Sequence, residues 1–197
     1  MNLVLASGSA SRKAILGAAG VPFAAIPADI DERGLTKTLL AGGTPADGIA
    51  LELAEAKARS VALRHRGALV LGADQTLLLD REVIAKSADL VAARALLCRL
   101  RGRAHRLAGG MVLLRGDVVV WRHGDTARLA MRDFSDAFLD RYLAAEGESL
   151  LAAVGCYRLE GPGAQLFESI EGDYFSILGL SLQPLLAELR KQGVLAS

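Results

Sequence analysis

The sequence predicts an α/β fold, because strand-like and helix-like segments alternate from the first residues onward. A short apolar strand, Leu3–Ala6, is followed by an Ala- and Leu-rich helix, Arg12–Gly20, and by a second strand, Phe23–Ile26. Two parallel strands joined by a helix form a right-handed βαβ unit, which leaves the turn after the first strand at the carboxyl edge of the sheet. That edge is where α/β proteins usually bind ligands. The 197 residues, 52% of them apolar, suffice for one domain or two closely packed lobes.

Net charge and cysteine content restrict the classes of partner. The formal net charge of +1 provides no long-range field for a nucleic-acid polymer or an anionic membrane, and we expect neither as a partner. Cys98 and Cys156 have no metal-ligand spacing, and we expect both to be reduced and unliganded. No basic n-region precedes the first apolar run, and no segment reaches membrane-spanning length. A cytoplasmic location is the simplest expectation.

The turn after the first strand is a candidate anion site. Ser7-Gly8-Ser9 precedes the helix, and Arg12 lies in its first turns. Free N–H groups at a helix N-terminus, Ser hydroxyls and a guanidinium suit the oxygen atoms of a phosphate or carboxylate. Ser9 as a simple helix cap explains the same residues equally well.

An acidic stretch follows the second strand. Asp29, Asp31 and Glu32 place three carboxylates in four positions between Pro27 and Gly34. A solvated loop is the commoner explanation, and a set of hard oxygen ligands for a divalent cation is the alternative. The pattern from Thr36 to Gly43 is ambiguous.

Residues 46–64 have the periodicity of an amphipathic helix, with a buried stripe that includes Ile49 and Leu53. Lys57 lies four residues from both Leu53 and Val61 and therefore points inward. Its ammonium either extends out to solvent along its aliphatic stem or reaches an anion held between the elements.

The next strand, Ala68–Leu71, runs directly into Gly72-Ala73-Asp74-Gln75. An acid at the tip of a buried strand after two small residues is a frequent catalytic or metal-binding position. A turn Asp is the alternative, since the chain continues as a hairpin through Leu77–Leu79 and Val83-Ile84 and ends at Lys86.

The second half continues as helix, ribbon, helix, a glycine-dense segment and a C-terminal helix. We predict these elements at the following positions: Ala88–Leu100, Arg103–Leu114 with Val118–Met131, Ser135–Ala145, Gly155–Gly163 and Leu182–Gln192. The basic run between Arg99 and Arg106 alternates with apolar residues, which favours a solvated strand edge over a nucleic-acid surface.

If these polar residues face one cleft, they match the needs of phosphoryl or nucleotidyl transfer. Arg12, Lys57 and Lys86 would neutralise a polyphosphate, while Glu32 and Asp74 would hold Mg²⁺ or Mn²⁺ and orient a water molecule. The chain contains no G-x-x-x-x-G-K-[ST] and no G-x-S-x-G sequence, and its three histidines have no zinc-site spacing.

The order and spacing of these motifs resemble those of the Maf family over essentially the whole chain. The matching segments are LASGSASR at Leu5–Arg12, Asp31-Glu32, LAEAKA at Leu53–Ala58, LGADQ at Leu71–Gln75, Lys86, and GCYRLEGPGAQLFESIEGDYFSILGLSL at Gly155–Leu182. The resemblance implies an elongated mixed β-sheet flanked by helices, with two lobes around a central cleft in one domain, residues 1–197. It also implies a divalent-metal-dependent nucleoside triphosphate pyrophosphatase that cuts between the α- and β-phosphates.

The same resemblance implies a role for each matching residue. Asp74 resembles the proton acceptor that activates water, and Glu32 resembles a carboxylate near the metal. Ser9 and Arg12 resemble the phosphate-binding turn, and Lys57 and Lys86, two further matching residues, resemble the charge-neutralising lysines.

Ser11, Gln75 and Glu160 bear on the choice of base, and two residues beside Lys86 also differ from the family pattern. One branch of the family prefers dTTP and UTP, whereas a branch that acts on 7-methyl-GTP resembles this chain in having Gln75 and Glu160. Ser11 stands where that branch tends to carry Trp, and Ala85 and Ser87 replace its usual Gly and Pro. A modified or purine nucleoside triphosphate is therefore slightly favoured over a pyrimidine one.

Two alternative functions are considered beside the pyrophosphatase, and the resemblance also bears on the oligomeric state. A nucleotide-binding regulator of cell division without significant turnover is the first alternative, suggested by the family's association with septum formation. A sugar-phosphate-binding domain is the second. The resemblance also makes a homodimer reasonable.

Overall fold

The computed structural model describes residues 2–196. The strands are β1 (Leu3–Leu5), β2 (Phe23–Ala25), β3 (Leu69–Leu79), β4 (Glu82–Ile84), β5 (Ala104–Arg115), β6 (Val118–Met131) and β7 (Phe167–Glu171). The helices are α1 (Ala10–Ala18), α2 (Glu32–Ala41), α3 (Ile49–Ala62), α4 (Leu90–Leu100), α5 (Asp136–Glu146), α6 (Tyr174–Ile177) and α7 (Leu182–Lys191). Short 3₁₀ turns lie at Ala46–Gly48, Gly147–Ala152 and Pro162–Leu166.

The strands form one mixed sheet, which confirms the predicted fold class. Its order is β2-β1-β3-β5-β6-β7, with β4 paired to β3. β1 pairs in parallel with both β2 and β3, so β1, α1 and β2 form the expected βαβ unit. β4 pairs antiparallel to β3, and β7 pairs antiparallel to β6.

The chain divides into two compact units. The first comprises the residues up to Gln75, Ala108–Asp125 and the residues from Asp173 onward, and the second comprises Thr76–Leu107 and Thr126–Gly172. Among residues 2–196, no helix has the length and apolar character that crossing a membrane requires. The single domain over residues 1–197 stays a prediction.

In the first unit, helices cover both faces of the sheet. On one face, Leu3, Leu5, Leu69 and Leu71 pack with residues of α1 and α7. The other face carries a smaller cluster built from β1, β3 and α3: Val4, Ala6, Val70, Ala54, Ala58 and Val61. Alternate residues of one strand thus belong to different layers, as the two-residue period of a strand dictates.

Glycine allows α3 to lie unusually close to the sheet. A Cβ atom on Gly72 would overlap with the backbone oxygen of Ala54, and one on Gly110 would overlap with the backbone of Leu51. Both glycines therefore remove a side chain where a strand meets the helix backbone. This close approach carries Lys57, one helical turn after Ala54, towards the sheet.

Two segments differ from the sequence expectation. The ambiguous stretch from Thr36 to Gly43 belongs mostly to α2, which Asp31 caps by accepting a hydrogen bond from Gly34 N–H at 2.9 Å. β3 continues through Gln75 to Leu79, so Asp74 lies within a long strand and not in a turn. Pairing with β4 extends the ladder and explains this length.

The second unit has an aromatic core around a buried histidine. His105 Nε2 lies 2.8 Å from the hydroxyl oxygen of Tyr157, and the Tyr157 ring packs edge-on against Phe167. Burial lowers the pKa of His105 to about 4. Cys98 and Cys156 are both free, as expected.

Candidate active site

A buried lysine joins two carboxylates at the centre of the site. Lys57 is 8% exposed, and its Nζ contacts Asp74 Oδ2 and lies 2.8 Å from Glu32 Oε1. The inward direction predicted for Lys57 is therefore confirmed. Its ammonium does not extend to solvent but contacts two carboxylates of the protein, the two acids expected to act together.

Each carboxylate oxygen of Asp74 has a partner in the protein. Its side chain is buried, and Oδ1 accepts a hydrogen bond from the Gln75 backbone N–H at 2.6 Å while Oδ2 meets Lys57. A carboxylate has about four lone-pair sites, so these two contacts leave capacity for a water molecule. The position is rigid, because it lies in the interior of β3 and faces α3.

Glu32 reaches Lys57 from the first turn of α2. Its side chain is about half exposed, in contrast to Asp74. Asp31 caps the helix with its own carboxylate and is thereby separated in role from Glu32. Of the three acids in this stretch, Asp31 caps α2, Glu32 contacts Lys57 and Asp29 is exposed.

The opening turn lies beside β3, because Ala6 N–H donates to Leu71 O at 2.8 Å. Ser9 caps α1 through a hydrogen bond from Arg12 N–H to its Oγ at 3.4 Å, which confirms the capping interpretation. Phosphate binding by Ser9 stays a prediction. Ser7, in the same predicted turn, accepts from Arg12 Nη1 at 3.2 Å and from Ser9 N–H.

Arg12 is oriented by two of its five donors. Nη1 meets Ser7, and Nε donates to the carbonyl oxygen of Gly179 at 2.9 Å. Burial lowers the pKa of Arg12, and the negative charges of Asp74 and Glu32 oppose that shift. An arginine nevertheless stays charged at neutral pH. The site therefore places a fixed cation next to the two acids.

Gln75 points away from Asp74, as adjacent residues of a strand do. Its Nε2 donates to the carbonyl oxygens of Ser176 at 2.8 Å and Ile177 at 3.2 Å. Because carbonyl oxygens only accept, these contacts fix the orientation of the amide. The contact also identifies α6 as part of the surroundings of the site, which no local sequence pattern indicated.

Three predicted residues remain: Ser11 on the first unit, and Lys86 and Glu160 on the second. Ser11 is half-buried in the first turn of α1. Lys86 and Glu160 belong to the second unit and are exposed, and Glu160 Oε1 accepts from Arg158 Nε at 3.4 Å. The roles of Ser11, Lys86 and Glu160 stay predictions.

The donor set of the first unit fits a magnesium-type cation bound together with substrate. Within residues 2–196, no group of three or more His, Cys, Asp or Glu side chains forms a ready-made metal site. Glu32 and Asp74 nevertheless approach closely enough to share the Lys57 ammonium. Mg²⁺ is typically held by one or two carboxylates together with substrate phosphates and water, and these two acids meet that requirement.

Comparison with known proteins identifies the family of this chain. The family model described as "Maf-like protein" matches residues 2–192. A 7-methyl-GTP pyrophosphatase from Mesorhizobium japonicum is 52% identical over 98% of this chain and 97% of its own length. A nucleoside triphosphate pyrophosphatase from Granulibacter bethesdensis is 48% identical over 99% of both chains.

A further relative carries the more general of these two names. A nucleoside triphosphate pyrophosphatase from Maricaulis maris is 52% identical over 98% of this chain and 97% of its own length. Matches of this extent span every motif from the opening turn to α7. The chain belongs to the Maf family.

Proposed function

We propose that this protein is a divalent-metal-dependent nucleoside triphosphate pyrophosphatase, which hydrolyses the bond between the α- and β-phosphates to give a nucleoside monophosphate and pyrophosphate. The observation that carries the proposal is the buried Lys57, which joins Asp74 and Glu32 beside the arginine-bearing turn. Relatives named as pyrophosphatases of nucleotides over nearly the full chain support the same reaction.

In this proposal, the opening turn and two lysines, Lys57 and Lys86, bind the phosphates. Arg12 keeps donors beyond those that meet Ser7 and Gly179, and a planar guanidinium suits paired phosphate oxygens. Ser9 adds a hydroxyl at the N-terminus of α1, where N–H groups and the helix dipole favour an anion. Lys57 and Lys86 supply further positive charge.

Asp74 orients the attacking water and accepts its proton. The carboxylate is fixed by Lys57 and by Gln75 N–H, so it presents its remaining lone pairs in one direction. Fixed orientation of a nucleophile is the main contribution that a protein makes to phosphoryl transfer, since no covalent intermediate is needed.

Glu32 and Asp74 would hold a bound Mg²⁺ or Mn²⁺, which supplies charge neutralisation at the phosphates and a more acidic water. Lys57 contacts both acids, and its ammonium would add positive charge beside the bound phosphates while it keeps its contact with Asp74.

The substrate class that we propose is a modified or noncanonical nucleoside triphosphate, with a 7-methyl-GTP-type purine ahead of dTTP and UTP. Gln75 and Glu160 match the branch named for 7-methyl-GTP, and several close relatives carry that name. The Gln75 amide is locked with its donors turned to carbonyl oxygens, so only its Oε1 acceptor is left for a base N–H.

A nucleotide panel tests the proposal. The protein is incubated with 7-methyl-GTP, GTP, dTTP, UTP and dITP in the presence of Mg²⁺ or Mn²⁺ and, separately, of EDTA. We expect monophosphate and pyrophosphate in the metal-containing reactions alone. Release of orthophosphate and diphosphate would contradict the bond assignment, and full activity in EDTA would contradict the metal requirement.

Substitution of Asp74 separates the enzyme from a nucleotide-binding regulator. We expect Asp74→Asn to keep nucleotide binding by calorimetry and to lose turnover by at least about a hundredfold, the scale of a general base. An unchanged rate would remove Asp74 from this role. Tight binding by wild-type protein with no turnover of any nucleotide would favour the regulator.

A further inference from the structure

The segment of residues 173–181 supports the site through its carbonyl oxygens. Asp173 caps α6, accepting from the backbone N–H and the hydroxyl of Ser176 at 2.9 and 3.1 Å. At the other end of the segment, the carbonyl oxygens of Ser176, Ile177 and Gly179 accept from Gln75 and Arg12. The Ser176 carbonyl oxygen also accepts from Gly179 N–H at 2.9 Å, so the Gln75 amide adds a second donor to an oxygen with two lone pairs.

A second set of contacts anchors this segment to the sheet. The Ser181 hydroxyl donates to Asp125 Oδ2 at 2.5 Å, and the Ser176 hydroxyl lies 3.2 Å from Ser181 Oγ. Asp125 comes from β6, where the space beside it is kept open by Gly109: a Cβ atom there would overlap with Asp125 Oδ1. Ser176 and Ser181 are both buried.

These contacts form one chain from the sheet to the phosphate-binding side chain. Asp125 holds Ser181, Ser181 fixes the end of the segment, and Gly179 two residues earlier receives Arg12 Nε. Gly179 has a φ of 101°, and a Cβ atom built on it would lie 3.5 Å from Arg12 Nε, so this residue lies directly beside the guanidinium. A shift of the segment would therefore reorient Arg12 and Gln75.

The Lys57–Asp74–Glu32 cluster lies outside this chain of contacts. Asp74 faces α3, whereas Gln75 faces the opposite side of β3. Loss of the anchor would thus change the side chains that hold the nucleotide and leave the reacting carboxylate in place.

We propose that Asp125 and Ser181 are positioning residues for nucleotide recognition: the hydrogen bond between them fixes the 173–181 segment, whose carbonyl oxygens orient Arg12 towards phosphate and Gln75 towards the base. The inference rests on the proposed pyrophosphatase function. It assigns the two residues an effect on substrate binding and on the choice of base, with little effect on the chemical step.

The test compares Ser181→Ala with Ser181→Thr, which keeps the hydroxyl, and with Ser149→Ala as a matched control. Ser149 makes a single hydroxyl contact, to Glu146 O, on the second unit. KM and kcat are measured for 7-methyl-GTP and UTP, and melting temperatures are recorded for each variant.

We expect Ser181→Ala to raise KM roughly tenfold, the value of one charge-assisted hydrogen bond, with kcat within about threefold of wild type. The ratio of kcat/KM between the two nucleotides should also move towards one. Ser181→Thr should restore KM, and Ser149→Ala should match wild type.

An unchanged KM in Ser181→Ala, or an equal loss in kcat and kcat/KM, would overturn the inference. If Ser181→Ala folds poorly, Asp125→Asn weakens the same hydrogen bond while keeping an acceptor, and a KM no higher than in wild type would then be the contradicting result. Wild-type protein without pyrophosphatase activity would refute the proposed function instead, so the two failures are distinguishable.

Discussion

Replacement of Lys57 by Met removes the charge that Asp74 depends on. The Lys57 and Asp74 side chains are each 9% exposed, whereas the Glu32 side chain is 48% exposed. Loss of one member of a buried pair costs about 3–5 kcal/mol, because the remaining charge is left without compensation. The exposed contact with Glu32 adds at most about 1 kcal/mol. Met keeps most of the apolar stem, so little cavity is created, and the total expected loss is about 3–6 kcal/mol.

Urea unfolding at pH 7 measures this loss. With an m value of roughly 2 kcal/mol/M, the midpoint of Lys57→Met should fall by about 2 M. Arg128→Met is the control for a surface pair, since Arg128 Nη1 lies 3.0 Å from Glu171 Oε1 and both side chains are more than half exposed; its midpoint should move by less than about 0.5 M.

The double variant Lys57→Met with Asp74→Asn tests the cause of the loss. Neither buried charge remains in it, so we expect most of the stability to return. A midpoint for Lys57→Met equal to that of wild type, or losses in the double variant that simply add, would refute the reasoning.

Two further predictions concern packing and pH. Gly72→Ala forces a Cβ atom onto Ala54 O and should destabilise the protein by at least about 2 kcal/mol, whereas Gly67→Ala, with open space around it, should change little in the same urea assay. His105 has a pKa lowered to about 4 by burial, so it stays neutral in the folded protein while its unfolded counterpart takes up a proton below about pH 6.5. Stability should therefore fall by up to about 3 kcal/mol as the pH decreases from 6.5 to 4, and His105→Phe should flatten that slope; equal slopes would refute the assignment.

The sequence predicted the parts of the fold that follow from local pattern. The βαβ unit at the N-terminus, the helix around Lys57 and the β5–β6 ribbon each depend on spacing or on turn residues within a short window. The inward direction of Lys57 followed from helical periodicity alone.

The features that the sequence did not predict depend on contacts between distant segments. The sequence placed Asp74 at the tip of a strand that ends near Leu71, with a turn as the alternative, whereas β3 continues through Asp74 to Leu79, where it pairs with β4. The role of Gly72 depends on a helix backbone that lies above it. Asp125 and Ser181 are 56 residues apart, and no local pattern indicates that they meet.

Isotope labelling with H₂¹⁸O tests most directly the central claim of the proposed function, that water attacks the α-phosphorus. A single turnover of the preferred nucleotide in labelled water, followed by mass spectrometry of both products, locates the bond that forms. The mechanism predicts one ¹⁸O atom in the nucleoside monophosphate and none in pyrophosphate. Label in the pyrophosphate would place the attack at the β-phosphorus and contradict the assigned geometry.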